Sequence, residues 1–80
     1  MNIPERIWLD PQLDVLDKLI IGIIMAGGND KLPADIAHEL QTSQKRVNQR
    51  INKMRSWGLL TVERKGRGIN KRIHMEVNPW

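Results

Sequence analysis

Between residues 13 and 24, apolar side chains recur at steps of three and four, which is the period of one face of an α-helix. The residues on this face are Leu13, Leu16, Leu19, Ile20, Ile23 and Ile24. Asp10 and Pro11 predict the start of the helix, because an aspartate can cap free backbone amides and proline suits the first turn. Gly27 and Gly28 predict its end.

Two more helices are predicted next. Pro33 opens the first of them. Its inward residues are Ile36, Ala37 and Leu40. The second covers residues 44–57, with Ser43 as its N-cap, because a serine hydroxyl can accept a hydrogen bond from a free amide. Its buried face consists of Val47, Ile51 and Met54. Trp57 is expected to close the core behind this helix, and Gly58 predicts its end.

After this helix the period of the apolar residues changes to strict alternation with polar ones. The alternating apolar residues are Leu60 and Val62, then Ile73, Met75 and Val77. This pattern predicts two half-buried strands, and the glycines of residues 66–68 predict a hairpin turn between them. We therefore expect an N-terminal arm over residues 1–9 and a small α+β domain over residues 10–80, with three helices followed by a two-stranded β-hairpin.

Charge divides the chain into two halves of opposite sign. Residues 1–40 carry three basic and seven acidic side chains, a balance of −4, whereas residues 41–80 carry ten basic and two acidic ones, a balance of +8. A run of charge can be only a solvated surface. A polarity this strong also favours a polyanionic partner on one side of the molecule.

The sequence carries no arrangement typical of catalysis, so we expect no enzyme, no cofactor and no metal site. It contains no cysteine that could form disulfides or thiolate ligands. His38 and His74 are isolated from carboxylates at ligand spacing. The longest apolar run, residues 19–26, is far below the roughly 20 residues that span a bilayer. With no signal-peptide pattern at the N-terminus, a cytoplasmic location is expected.

Residues 33–77 resemble the winged helix-turn-helix superfamily of DNA-binding domains. The resemblance rests on Ile36-Ala37, Leu40, a three-residue turn, Ser43, Val47, Ile51, Met54 and Gly58-Leu59-Leu60. It is most similar to the MarR and GntR pattern, in which the recognition helix leads through a glycine and two apolar residues into the wing. Gln41 stands at a turn position where many such domains have glycine, and Thr42 stands where they usually have an apolar residue.

The resemblance implies that helix 44–57 enters the major groove of double-stranded DNA and that wing 64–72 contacts phosphates or a minor groove. Amides can pair with adenine and lysine can read guanine, so the candidates for base contact are Lys45, Asn48, Gln49 and Asn52. The candidates for phosphate or minor-groove contact are Ser43, Arg46, Lys53, Arg64, Lys65, Arg67, Lys71 and Arg72. Because no acidic residue occurs between Gln41 and Thr61, phosphates would neutralise otherwise repelling charges.

We therefore expect a sequence-specific, non-enzymatic DNA-binding protein, a small transcriptional regulator that associates with the nucleoid when bound. A palindromic site would require a homodimer. The candidates for its interface lie off the core face of the first helix or in the arm: Trp8, Val15, Ile21 and Met25. The three on the helix could instead be covered by the arm. Two alternatives stay open, namely a winged-helix module that binds a protein partner and the DNA-binding part of a replication or partition complex.

Overall fold

Three helices precede a two-stranded antiparallel sheet in the computed structural model, which describes residue 7, residues 9–66 and residues 72–78. The elements are α1 (Val15–Met25), α2 (Pro33–Glu39), α3 (Gln44–Ser56), β1 (Leu60–Lys65) and β2 (Arg72–Val77). This order confirms the predicted α+β winged helix-turn-helix architecture. None of the described helices is long and apolar enough to cross a membrane.

Helix α1 begins at Val15, so the predicted start at Asp10 was wrong. Asp14 is the N-cap: its side chain accepts a hydrogen bond from the backbone amide of Asp17, 3.0 Å away. In return, the Asp17 carboxylate accepts from the Asp14 amide at 3.1 Å, which completes a capping box. Asp10 caps only a local turn, through the amide of Gln12 at 2.9 Å. The reciprocal pair at Asp14 therefore fixes where the helix starts.

The core lies where α1 packs against α3 and β2, and α2 packs against α3. The predicted alternation of the strands is confirmed, since their inward residues are buried or half-buried. The phase of α1 differs from the prediction: Leu19 is 42% exposed, whereas Ile21 is fully buried. Because α1 packs on two other elements, and Ile7 of the arm is buried in the same cluster, its buried surface is broader than one stripe.

All three described helices end in the same backbone motif, with one residue in the left-handed region. These residues are Gly27 (φ 103°), Gln41 (φ 55°) and Gly58 (φ 78°). After α2, the amide of Gln41 donates to the carbonyl of His38 at 3.2 Å, and that of Thr42 to Ala37 at 2.9 Å. This is the Schellman pattern, in which glycine usually takes the left-handed place. Gln41 therefore occupies the place where a side chain is sterically unfavourable.

Trp57 does not close the core: 41% of its surface is exposed, so that prediction was wrong. Helix α3 ends at Ser56, and the chain turns at Gly58. The amide of Leu59 then donates to the carbonyl of Met54 at 3.0 Å, and both side chains are buried. Leu59, and not Trp57, is thus the residue that is buried after α3, because the Schellman turn at Gly58 redirects the backbone.

Candidate nucleic-acid interface

Helix α3 presents a polar surface to solvent. Lys45, Gln49 and Asn52 are exposed, while Asn48 is half-buried. The opposite side of the helix is fixed in the core by its three buried apolar residues, Val47, Ile51 and Met54. All four predicted base-contact residues therefore lie on the accessible surface of one helix. Asn48 sits closest to the body of the protein, which distinguishes it from the other three.

Two residues predicted to contact phosphate, Ser43 and Lys53, also form local contacts at the two ends of α3. The Ser43 hydroxyl accepts a hydrogen bond from the backbone amide of Arg46 at 3.2 Å, which confirms the predicted N-cap. At the other end, the Lys53 ammonium lies 5.0 Å from the centre of the Trp57 ring, a cation–π contact. The Arg46 and Lys53 side chains are both exposed, so each remains accessible to an anion.

Arg50 is neutralised inside the molecule, which sequence reasoning missed. Its guanidinium lies 2.8 Å from the Asp14 carboxylate and 3.9 Å from that of Asp17. The pairs join α3 to the N-terminus of α1. Helical spacing could have predicted this. Arg50 follows Val47 by three positions and precedes Met54 by four, so it falls on the buried face of the helix. Arg50 therefore differs from the other basic residues of α3.

Asp17 is the one fully buried charged residue among those described. Its Oδ1 atom has no hydrogen-bond partner there, while Oδ2 accepts from the Asp14 amide. Burial raises the pKa of the Asp17 carboxyl above its ordinary value of 3.8, an effect that the nearby Arg50 charge opposes but does not cancel. Asp17 thus combines a structural role in the capping box with a cost of burial.

The basic residues of the wing strands are exposed. They are Arg64, Lys65 and Arg72. Lys65 and Arg72 lie opposite each other across the sheet, while Arg64 lies opposite the buried Ile73. No ion pair within the described part of the chain includes Arg64 or Arg72. The remaining wing candidates, Arg67 and Lys71, lie outside the described residues.

A groove of about 310 Å³ separates α3 from the wing. Its polar lining comes from Gln44 and Asn48 on α3, Arg64 on β1 and Arg72 on β2. Its apolar lining comes from Leu32, Pro33, Ala34 and Ile73. The groove therefore brings together two cations and two amides from three separate elements, and none of the described residues that line it is a carboxylate.

His74 is not isolated, contrary to the prediction. One ring nitrogen, Nδ1, lies 2.8 Å from the Asp30 carboxylate, and Nε2 lies 3.0 Å from that of Glu76. These two hydrogen bonds raise the pKa of His74 above its ordinary value, because both stabilise the protonated ring. Nearby, Asn29 forms two hydrogen bonds of 2.8 Å with the backbone of Met75. The loop between α1 and α2 is thus fastened to β2, a contact between residues far apart in sequence.

Within residues 9–66 and 72–78, no three histidine, cysteine, aspartate or glutamate side chains are arranged so that they could hold a metal ion. Both ring nitrogens of His74 are already occupied by carboxylates. His38 is exposed on α2.

The candidate dimer residues divide into two kinds. Val15 and Met25 are 70% and 42% exposed, and Leu19 on the same helix is also 42% exposed. Ile21 is fully buried within the chain and cannot contact a second copy, so its assignment to an interface was wrong. The physical reason is the packing of α1 on two elements at once. Trp8 lies outside the described residues.

The chain is similar to the arsenic resistance transcriptional regulator ArsR1 of Pseudomonas putida, with 28% identity over 58 residues. The match covers 72% of this chain and 45% of that regulator, so the chain spans less than half the length of its relative. No protein-family model matches the chain, and no solved structure matches it significantly. The likeness to a transcriptional regulator agrees with the winged helix-turn-helix architecture.

Proposed function

We propose that the protein is a sequence-specific regulator of transcription that binds double-stranded DNA with α3 in the major groove and the wing against the backbone or a minor groove. One observation carries the proposal: the exposed surface of α3 combines amides and cations with no acidic residue, and the buried side fixes its orientation. An amide-rich, basic helix of this kind has the donors and acceptors that read base edges. Three basic residues of the wing strands supply a second contact surface in the same half of the chain.

The bases would be read by the exposed residues of α3, Lys45, Gln49 and Asn52. Phosphates would be held by Arg46, Lys53 and the wing, and the Ser43 hydroxyl would remain within reach of one.

The proposal is tested by selecting bound duplexes from a random oligonucleotide pool and then measuring affinity for the selected site. Gln49→Ala is expected to reduce preference for the selected site at one or two base pairs, since each bidentate base contact contributes about 1–3 kcal/mol of discrimination. Lys18→Ala is the control, because Lys18 lies on α1 in the acidic half of the chain. A pool that yields no enriched sequence would contradict the proposed specificity.

A homodimer is proposed through the exposed apolar residues of α1, because two copies are needed to read a palindrome. Val15→Glu would place a charge in such an interface without disturbing the core, since Val15 is 70% exposed. Sedimentation of the wild type should show dimers, and the variant should shift toward monomer. Lys18→Gln on the same helix is the control, because it changes the net charge by the same single unit. A wild type that remains monomeric both alone and on DNA would remove the dimer.

A further inference from the structure

We infer that the groove between α3 and the wing receives one sugar-phosphate strand of the bound DNA, and that Asn48 contacts this backbone and not a base. The inference rests on the proposed function. It gives Asn48 a different role from the other three candidates for base contact. It names a phosphodiester as the ligand of the groove.

The geometry of DNA places a backbone strand at this point. A helix in the major groove and a wing in the adjacent minor groove lie on either side of a single sugar-phosphate strand, which forms the wall between the two grooves of the duplex. The space between α3 and the wing strands is therefore the space that this strand must occupy. In this protein that space is an open groove of about 310 Å³.

The lining of the groove fits a phosphodiester. Arg64 and Arg72 enter it from opposite strands of the wing, and guanidinium groups bind phosphate through charge-assisted hydrogen bonds. Neither arginine is paired with a carboxylate among the described residues, so both are accessible to an external anion. Arg72 also borders a neighbouring groove lined by Asp30 and Glu63, whereas Arg64 does not line that neighbouring groove.

The amides of the groove come from one face of α3. Gln44 and Asn48 are four residues apart, one turn of the helix, and both line the groove. Gln49 and Asn52 do not line it and are exposed: Gln49 lies about 100° around the helix from Asn48, and Asn52 lies one turn further along the helix. A side-chain amide can donate to a phosphate oxygen without reading any sequence. The half-buried position of Asn48 therefore directs it to the backbone, while Gln49 and Asn52 remain free for bases.

The inference is tested by comparing Asn48→Ala with Gln49→Ala on the selected site and on a set of duplexes that each carry one base-pair change. Asn48→Ala should weaken binding to every duplex by the same factor, about tenfold for a lost hydrogen bond to a charged group. Gln49→Ala should change the order of preference among the duplexes. A change in preference with Asn48→Ala would overturn the inference while leaving the proposed function intact.

A second measurement locates the phosphate. Methylphosphonate replaces one charged phosphate at a time by a neutral group, and the wild type should lose about tenfold in affinity at the phosphate that sits in the groove. Arg64→Gln should already lack that contact and should lose little more at the same position. Equal losses in wild type and Arg64→Gln at every phosphate would overturn the inference. Absence of any DNA binding by the wild type would instead remove the proposed function and the inference with it.

Thermal unfolding shows whether Asn48→Ala and Arg64→Gln keep the stability of the wild type. Arg64 is exposed and Asn48 is half-buried, so neither change removes a buried apolar contact. Asn48→Asp adds a second test that keeps the shape of the side chain, because a carboxylate facing the phosphodiester should weaken binding more than alanine does. Binding by Asn48→Asp equal to that of the wild type would count against the phosphodiester.

Discussion

At the scale of single residues, two side chains occupy positions that ordinary preferences disfavour. Gln41 takes the left-handed backbone place at the end of α2, where resembling domains often carry glycine. Asp17 is a fully buried carboxylate with one oxygen unpartnered among the described residues. Both positions cost stability, and both belong to the framework that orients α3, since Gln41 lies in the turn before it and Asp17 beside Arg50.

Gln41→Gly is expected to stabilise the protein by about 0.5–1 kcal/mol. Removing the β-carbon relieves a steric cost of about 1–2 kcal/mol, which exceeds the entropic penalty of about 0.5–1 kcal/mol that glycine brings. Denaturant unfolding monitored by circular dichroism measures the difference. The matched control is Gln49→Gly in the middle of α3, which should destabilise by about 1 kcal/mol. A loss of stability at Gln41→Gly would show that its side chain makes a compensating contact.

Asp17→Asn isolates the effect of the buried carboxyl on pH dependence. Because the folded pKa of Asp17 is raised above 3.8, the folded state holds this proton more tightly than the unfolded state. Its contribution to stability is therefore present at low pH and is lost as pH rises from 3.8 through the folded pKa. The free energy of unfolding of the wild type minus that of Asp17→Asn should decrease over this window. A difference that increases with pH would mean that Arg50 outweighs burial.

At the scale of elements, the contacts of α3 separate its basic residues into two groups. Arg50 is held by Asp14 and Asp17 and joins α3 to α1, while Arg46 is exposed one turn earlier. The first kind of residue orients the helix, and the second kind is accessible to an external anion. Charge counted along the sequence cannot make this distinction, because the carboxylates that neutralise Arg50 lie on another helix.

Arg50→Ala and Arg46→Ala are expected to behave in opposite ways. Arg50→Ala should lower the free energy of unfolding by about 1–3 kcal/mol, because it leaves the buried Asp17 without its cation. The slope of log DNA affinity against log salt concentration should not change in Arg50→Ala, since the charge of Arg50 is already neutralised within the protein. Arg46→Ala should keep wild-type stability and reduce the size of that slope by about 1. Denaturant unfolding and DNA titrations at several salt concentrations, made on both variants, measure these effects. Loss of stability in Arg46→Ala together with a reduced salt slope in Arg50→Ala would contradict the roles assigned to the two arginines.

Local patterns predicted every described helix and strand, since each relies on periodicity and capping within a few residues. The errors arose where distant elements decide the outcome. Ile21 is buried because α1 packs on α3 and β2, and Trp57 is exposed because the chain turns at Gly58 and buries Leu59 instead. The contact of His74 with Asp30 joins residues that are 44 positions apart, and no spacing rule reaches that far. At the site, the sequence was enough to predict which residues of α3 form its polar surface. That Asn48 lines the groove and Gln49 does not could be seen only once the position of the wing was known.

At the scale of the whole molecule, the basic half of the chain folds into α3 and the wing, and the acidic half supplies α1 and α2. The two halves exchange only a few ion pairs among the described residues, namely those of Arg50 with Asp14 and Asp17 and those of His74 with Asp30. Most of the positive charge is therefore left for an external anion. Such a distribution also accelerates association with a polyanion and orients it toward the basic side.

The salt dependence of DNA affinity tests this account most directly. If α3 and the wing together neutralise about six phosphates, log affinity should fall against log salt concentration with a slope of about −5. Titrations of the wild type with its selected duplex at several salt concentrations give this slope. A slope of that size is the predicted result, and a slope near zero would contradict the claim that the basic surface meets the DNA backbone.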